Sequence, residues 1–221
     1  MRSVRAFWHK EANFGDRLTP WLLKKQEVHA TWAPPSQARF FGCGSIADRI
    51  PEGYTGVVWG SGQLRARSTI NLREATVLAV RGPLTHEAGL YADPGLLCGL
   101  YAPEVEKRYK VGVLPHYIEA LPHQGQGLNI RWKIEVLIDA AAKCERIISS
   151  SLHGLILADS LGIPNMWVYS ERVIGEGFKF RDYAASFGES IEPDMWRLAP
   201  QEQVHDKQQA LITALKGIPN G

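Results

Sequence analysis

Apolar residues along this chain alternate between short continuous runs and stretches with helical spacing. Short runs rich in aliphatic, β-branched and aromatic residues predict buried strands, and most end at a glycine or small polar residue where a loop must bend. In the first half these runs cover residues 4–9, 38–45, 56–62 and 75–82. After the first run, Leu18, Trp21 and Leu22 recur at helical spacing. Strands alternating with helices predict an α/β fold with parallel strands.

The pattern restarts after a polar segment at residues 102–110. The elements predicted beyond it are strands at 110–117, 146–149 and 165–170 and helices at 132–144, 152–163 and 201–217. The polar segment is the best candidate boundary, so we predict an N-terminal half at 1–105 and a C-terminal half at 106–221 that includes the terminal helix. Each half is expected to be a Rossmann-like, doubly wound domain, and the two should face a cleft.

Two weaker local signals lie between the strand at 75–82 and the polar segment. Pro83 at a first helical position and Gly89 as a stop predict a short helix over residues 83–90. Residues 91–97 place a turn dipeptide between apolar pieces.

Three serines and a histidine stand where the strand ending near Ser149 turns into a helix. Ser150 or Ser151 should be the helix N-cap, where a hydroxyl satisfies free N–H groups and contributes about 1 kcal/mol. The same N–H groups and the positive helix end suit a carboxylate or phosphate. The helix dipole would also keep His153 neutral and able to accept a proton. A capped helix with a packed histidine is the simpler alternative, and the pattern leaves both open.

Other polar residues occupy the ends of predicted elements. His116 follows a strand at the edge where open α/β sheets bind ligands, although strand-end histidines are often ordinary loop residues. Asn13 and Asp16 surround a turn before the first helix, which fits a substrate contact or an ordinary capped start. The glycine turns GCGS and GSG do not fit the GxGxxG fingerprint, so a dinucleotide site is not supported.

Three basic residues are candidates for gripping an anion. Arg81 closes a strand, and Lys179 and Arg181 lie beyond the last predicted strand. A guanidinium binds a carboxylate or phosphate through two parallel hydrogen bonds, but an exposed arginine usually binds nothing specific. Taken singly, each of the three is a weak signal.

Charge and composition exclude several functions. The 25 Lys and Arg residues against 23 Asp and Glu give a net charge of only +2, so no broad basic field for nucleic acid exists and any anion must be held locally. No HExxH, CxxC or clustered histidine and carboxylate pattern predicts a metal site, and SSLHG lacks the GxSxG of a serine hydrolase. We therefore expect neither metal nor nucleic acid.

The cysteines and the N-terminus bear on the compartment. Three widely spaced cysteines in apolar surroundings predict free, buried thiols in a reducing compartment. The N-terminus lacks the apolar run of a signal peptide, and no stretch of about 18 apolar residues could span a bilayer. We expect a cytoplasmic protein, and peripheral membrane contact is left open.

The motifs taken together resemble those of a known family. In chain order they are NFGDRLTPWL, GCGS, GSG, VRGPLT, ADPGLL, VGVLPHY, ISSSLHGLILADSLGIPN and KFRDYAASFG. This ordered set, from about residue 12 to about residue 188, resembles the polysaccharide pyruvyl transferase family, especially short bacterial exopolysaccharide ketalases of the succinoglycan type. No single motif is decisive, but the ordered set is specific.

The resemblance implies a two-domain fold like that of B-type glycosyltransferases. It also implies transfer of pyruvate from phosphoenolpyruvate onto two hydroxyls of one sugar as a cyclic ketal, with no further cofactor, and it makes His153 the general acid/base. Relatives often carry an arginine two residues before this histidine, where this chain has Ser151, so donor binding is expected from Arg81, Lys179 or Arg181. His116 would be the partner acid or a phosphate contact.

Two other classes of function compete with this one. The implied architecture also hosts nucleotide-sugar glycosyltransferases, which would need an acidic residue on the donor ribose, and Glu171 and Glu176 are the candidates. A carbohydrate-binding or scaffold protein that retains the fold without catalysis is the third class.

Overall fold

The first sheet of the computed structural model, which describes residues 2–66 and 70–217, is entirely parallel. Its five strands lie in the order β2-β1-β3-β4-β5. They are β1 (Arg2–Phe7), β2 (Val28–Trp32), β3 (Phe40–Phe41), β4 (Val57–Ser61) and β5 (Thr76–Val80). The four predicted strands are present, the first shifted two residues toward the N-terminus and the other three with shorter bounds. The sequence analysis omitted β2, an edge strand in which only Val28 is buried.

The second sheet also has five strands, in the order β10-β9-β8-β6-β7. They are β6 (Gly112–Leu114), β7 (Gln126–Gly127), β8 (Ile147–Ser149), β9 (Asn165–Trp167) and β10 (Trp196–Arg197). All pairings are parallel except that of the edge strand β10 with β9. Two parallel-rich sheets confirm the mixed α/β class, and β8 ends at Ser149 as predicted.

Five α-helices connect and cover the sheets in the described part of the chain. They are α1 (Phe14–Lys25), α2 (Ile134–Ala142), α3 (Leu152–Ser160), α4 (Phe178–Ala185) and α5 (Gln201–Lys216). Asn13 caps α1 by accepting a hydrogen bond from the backbone N–H of Asp16 at 3.2 Å. The helix α4, which the sequence analysis did not predict, begins after Gly177, whose φ of 78° is unfavourable for other residues.

The predicted helix at 83–90 is wrong. The segment forms turns, because the backbone N–H and the hydroxyl of Thr85 both donate to the distant carboxylate of Asp182, at 2.9 and 2.7 Å. The next segment instead forms a 3-10 helix at Pro94–Tyr101, and Asp93 caps it by accepting the Gly95 N–H at 2.8 Å. A long-range polar contact therefore outweighs the local helix signal.

The terminal helix α5 packs back onto the first half of the chain. The indole of Trp59, on β4, donates to the Leu211 carbonyl at 3.2 Å, and Arg2 donates to the Leu215 carbonyl at 3.1 Å. The division of the chain at residues 105 and 106 stays a prediction, but the helix that it places in the second half contacts the first sheet.

None of the helices formed by residues 2–66 and 70–217 is long and apolar enough to cross a bilayer. The three cysteines, Cys43, Cys98 and Cys144, are free and buried, as predicted.

Candidate functional site

A cavity of about 430 Å³ opens where strands of the two sheets end. Its walls come from the loops after β1 and β3 in the first sheet and after β6 and β8 in the second, together with the starts of α1, α3 and α4. The carboxyl ends of parallel strands are where open α/β sheets bind ligands. Its lining residues are His9, Glu11, Asn13, Asp16, Ser45, Arg49, Leu64, His116, Tyr117, Ile118, Ile130, Ser151, Leu152, His153, Ile174 and Lys179.

The three serines before α3 have different roles. Ser149 donates to the Leu114 carbonyl at 2.6 Å and accepts the Ser151 N–H at 3.0 Å, which ties β8 to β6. Ser150 accepts the backbone N–H of His116 at 3.0 Å and so holds the loop after β6. Ser151 is the N-cap residue but makes no side-chain capping bond, and it lines the cavity. Two serines therefore build the site, and the third faces it.

His153 lies in the first turn of α3, and its ring contacts Cys43, Asp93 and the start of α1. Its Nε2 lies 3.3 Å from the sulfur of Cys43 and 3.8 Å from Oδ2 of Asp93. A Cβ added to Gly15 would overlap Nδ1, so the ring packs directly on the start of α1. Burial lowers the pKa of His153, and Asp93 opposes this effect only partly, so the imidazole is neutral at pH 7 and can accept a proton.

Lys179 provides the buried positive charge of the cavity. The side chain is 7% exposed, and Nζ has no hydrogen-bond or ion-pair partner within residues 2–66 and 70–217. Burial, with the nearby Arg81 guanidinium, lowers the pKa of Lys179 to about 8, and Asp16 opposes this shift. The ammonium is therefore charged at pH 7 but lacks an anion.

Asp16 lies in the first turn of α1 and shares a short hydrogen bond with the Asn13 side chain. Burial raises the pKa of Asp16 to about 7, and the Asn13 bond opposes this shift. Near neutral pH its carboxyl group is thus divided between the neutral and ionised forms.

His116 also lines the cavity. Its Nδ1 is buried without a hydrogen-bond partner in the described part of the chain, and the ring lies against Tyr117 with centroids 4.5 Å apart. Burial, followed by the charge of Lys179, lowers the pKa of His116 to about 4. The ring is neutral at physiological pH.

Arg81 and Arg181 lie outside the cavity lining. Arg81 is fully buried and donates to Asp182 at 2.9 Å, to Ser45 at 2.8 Å and to the Gln63 carbonyl at 2.6 Å. Arg181 follows Lys179 by two residues, so it points to the opposite face of α4, where it donates to the Glu176 carbonyl at 2.7 Å. The structure thus brings together Asn13, Asp16, His116, Ser151, His153 and Lys179, and Ser150 supports them.

The donor atoms of Cys43, Asp93 and His153 lie within 4.8 Å of one another, close enough in principle to share a metal ion. A thiol must lose its proton to bind a metal. Burial and the adjacent Asp93 carboxylate raise the pKa of the Cys43 thiol well above its ordinary value. Bound metal would have to reverse this preference, so the cluster fits a hydrogen-bonded group better.

The sequence did not identify Asp93 and Cys43 as neighbours of His153. Residues 91–97 were interpreted as a turn between apolar pieces, and Cys43 as a free, buried thiol. The available signal was a single carboxylate within the otherwise apolar stretch ADPGLL, which must be buried if its neighbours are.

Parallel-rich sheets with a polar cavity at their carboxyl ends define an α/β protein with a small-molecule site. The family described as "Polysaccharide pyruvyl transferase" matches residues 40–172, more than half of the chain and a range that includes His116 and His153. The chain therefore belongs to the polysaccharide pyruvyl transferase family, which confirms the resemblance drawn from its motifs.

The chain is 28% identical to the succinoglycan biosynthesis protein ExoV of Rhizobium meliloti (strain 1021), and the alignment covers 85% of this chain and 66% of ExoV. It is 33% identical to the uncharacterized protein L143 of Acanthamoeba polyphaga mimivirus, over 48% of this chain and 42% of that protein. The chain thus spans less than two thirds of the length of each relative.

Proposed function

We propose that this protein transfers pyruvate from phosphoenolpyruvate onto two hydroxyls of one sugar in an exopolysaccharide or its lipid-linked precursor, forming a cyclic ketal. The observation that carries the proposal is the meeting of His153 and the unpaired Lys179 on one cavity in a chain of this family. The relative ExoV is a succinoglycan biosynthesis protein, which supports an exopolysaccharide acceptor.

The chemistry requires a buried cation and a neutral proton carrier. Phosphoenolpyruvate carries a carboxylate and a phosphate, and Lys179 with the free N–H groups at the start of α3 can hold an anion in the partly enclosed cavity. A sugar hydroxyl adds to C2 of the donor and loses its proton, while C3 gains one. One neutral imidazole, that of His153, can take the first proton and deliver the second.

The intermediate then loses phosphate, and the second sugar hydroxyl attacks C2 to close the ketal ring, while its proton passes to the departing phosphate. Overall, one diol and one phosphoenolpyruvate give one ketal and one inorganic phosphate. His116 was left open between partner acid and phosphate contact. Because burial lowers its pKa to about 4, we assign it as a neutral hydrogen-bond donor to the phosphate rather than as an acid.

The acceptor is assigned to the cavity mouth, where the lining becomes apolar. Tyr117, Ile118 and Ile174 are each more than a third exposed there. A tyrosine ring at a cavity rim offers an apolar face to the C–H groups of a sugar and a hydroxyl to its edge. We also propose that the two sheets belong to Rossmann-like domains facing a glycosyltransferase-B-like cleft, and that the reaction occurs in the cytoplasm, at the inner face of the membrane.

The test is phosphate release from phosphoenolpyruvate by the purified chain, with and without lipid-linked oligosaccharide extracted from the producing cells, followed by mass analysis. Acceptor-dependent release with the mass gain of one pyruvate ketal is expected. His153→Gln should lower turnover at least 100-fold, since general acid–base catalysis contributes about 10²–10⁴-fold. His205→Gln, on the exposed face of α5, is the matched control and should be neutral.

The glycosyltransferase alternative is less well supported. Glu171 and Glu176, its candidate ribose-binding residues, are exposed, and neither lines the cavity. Turnover of a nucleotide sugar without any reaction of phosphoenolpyruvate would favour that class. Ligand binding that survives His153→Gln, with no turnover of either donor by the wild-type chain, would favour the non-catalytic class.

A further inference from the structure

Asp93 and Cys43 form a buried hydrogen-bonded pair behind His153. Both side chains are essentially inaccessible to solvent, and neither lines the cavity. The sulfur of Cys43 lies 3.2 Å from Oδ1 of Asp93 and 3.3 Å from Nε2 of His153, so it bridges the carboxylate and the ring.

The two carboxyl oxygens of Asp93 have different surroundings. Oδ1 accepts the Gly95 N–H at 2.8 Å and the Cys43 thiol at 3.2 Å. Oδ2 is buried without a hydrogen-bond partner in the described part of the chain. Asp93 therefore acts as an acceptor toward Cys43 through Oδ1 and keeps Oδ2 unpartnered.

The position of the ring proton then follows. The single proton of the Cys43 thiol points to Oδ1 of Asp93, which accepts it. The sulfur can then only accept from His153, which places the proton of the neutral imidazole on Nε2. The lone pair remains on Nδ1, the nitrogen beside Gly15 at the start of α1.

We propose that Asp93, acting through Cys43, is a positioning residue that fixes His153 in the Nε2–H form and leaves Nδ1 as the nitrogen that exchanges protons with substrate. When Nδ1 takes the proton of the sugar hydroxyl, the ring becomes an imidazolium whose Nε2 lies 3.8 Å from the unpartnered Oδ2 of Asp93. That oxygen is a preformed partner for the transient charge. This proposal rests on the assignment of His153 as the acid/base under the proposed function.

The first measurement is the tautomer of His153 in the ligand-free protein, determined by nitrogen-15 NMR of histidine-labelled samples and assigned with His153→Gln. The Nε2–H form is expected in the wild type. An Nδ1–H form would overturn the proposal, whether or not the protein proves to be a pyruvyltransferase, because this measurement needs no substrate. Stoichiometric zinc in the purified protein, bound through these three side chains, would also overturn it.

Substitutions at Asp93 and Cys43 distinguish a positioning role from an effect on folding. Asp93→Asn keeps an oxygen for the Gly95 N–H but can no longer compel the Cys43 thiol to donate to it. It should give a mixed tautomer and lower kcat by roughly 10²–10⁴-fold with little change in KM, by comparison with carboxylates that orient catalytic histidines. Cys43→Ser preserves a bridging donor and acceptor and should keep the Nε2–H form, whereas Cys43→Ala should lose it. Unchanged tautomer and pH profile in Asp93→Asn and Cys43→Ala would refute the proposal.

Discussion

Lys179→Met removes the unpaired buried ammonium while keeping a side chain of similar length. Burial and Arg81 lower the pKa of Lys179 from 10.5 to about 8. Since a tenfold change in proton affinity corresponds to about 1.4 kcal/mol, keeping this lysine charged at pH 7 costs the folded protein about 3 kcal/mol. No ion pair within the described residues offsets this cost, so we expect the charge of Lys179 to bind a ligand.

Two opposite effects follow from the substitution. The KM for phosphoenolpyruvate should rise roughly 10- to 150-fold, since a hydrogen bond to a charged group contributes about 1.5–3 kcal/mol. The free energy of unfolding at pH 7 should rise instead, by about 1–3 kcal/mol. A group whose pKa is lowered on folding makes stability increase with pH between its folded and unfolded values. The wild type should therefore gain stability between about pH 8 and pH 10.5 relative to Lys179→Met.

The assays are steady-state kinetics with varied phosphoenolpyruvate and urea unfolding at pH 7 and pH 10. Arg181→Met is the matched control, because it removes a positive charge from the outer face of the same helix. It should change neither KM nor stability appreciably. An unchanged KM in Lys179→Met, or a protein that is less stable at pH 7, would refute the reasoning.

Three further predictions concern the surroundings of this charge. Asp182→Asn should lower the free energy of unfolding by about 3–5 kcal/mol in urea titrations, because it leaves the Arg81 guanidinium buried without its counter-ion. Gly15→Ala should keep the melting temperature within a few degrees but lower kcat at least tenfold, since the added methyl group would displace the His153 ring. The KM for phosphoenolpyruvate should rise as pH increases through about 7, where Asp16 ionises beside the anion, and Asp16→Asn should flatten this dependence.

The sequence predicted most of the elements that carry strong local patterns. The strand that ends at Ser149 and the helix that begins at Leu152 were found because serines, which favour a helix N-cap, interrupt two apolar runs at that point. This junction also placed His153 in the first helical turn. The prediction failed at residues 83–90, where Thr85 bonds to Asp182 across 97 positions. No local pattern carries that information.

Local sequence was also insufficient to choose between two of the candidates for donor binding. Lys179 and Arg181 are nearly adjacent in KFRDY, and composition cannot distinguish them. Only the start of α4, after the left-handed Gly177, determines which of the two faces the cavity. Because residues three apart share a helical face, Lys179 lies on the side of Asp182, which is anchored to Arg81, and Arg181 lies on the other.

Buried charges in this protein fall into two groups that differ in how completely they are paired. Arg81 with Asp182, and Arg197 with Asp159, form ion pairs of 2.9 and 2.8 Å whose carboxylates also accept further hydrogen bonds. Such pairs connect distant segments of the chain. Around the cavity, by contrast, Lys179 lacks an anion and Oδ2 of Asp93 lacks a hydrogen-bond donor among the described residues.

The paired and the unpaired buried charges have different physical explanations. An unpaired buried charge costs stability, so a chain retains it only where another species supplies the partner. In the proposed reaction, that species is the anionic donor for Lys179 and, for Asp93, the imidazolium that exists only during proton transfer. The two incomplete sites therefore correspond to the two charges that the proposed reaction brings into the cavity, the bound donor and the transient cation on His153.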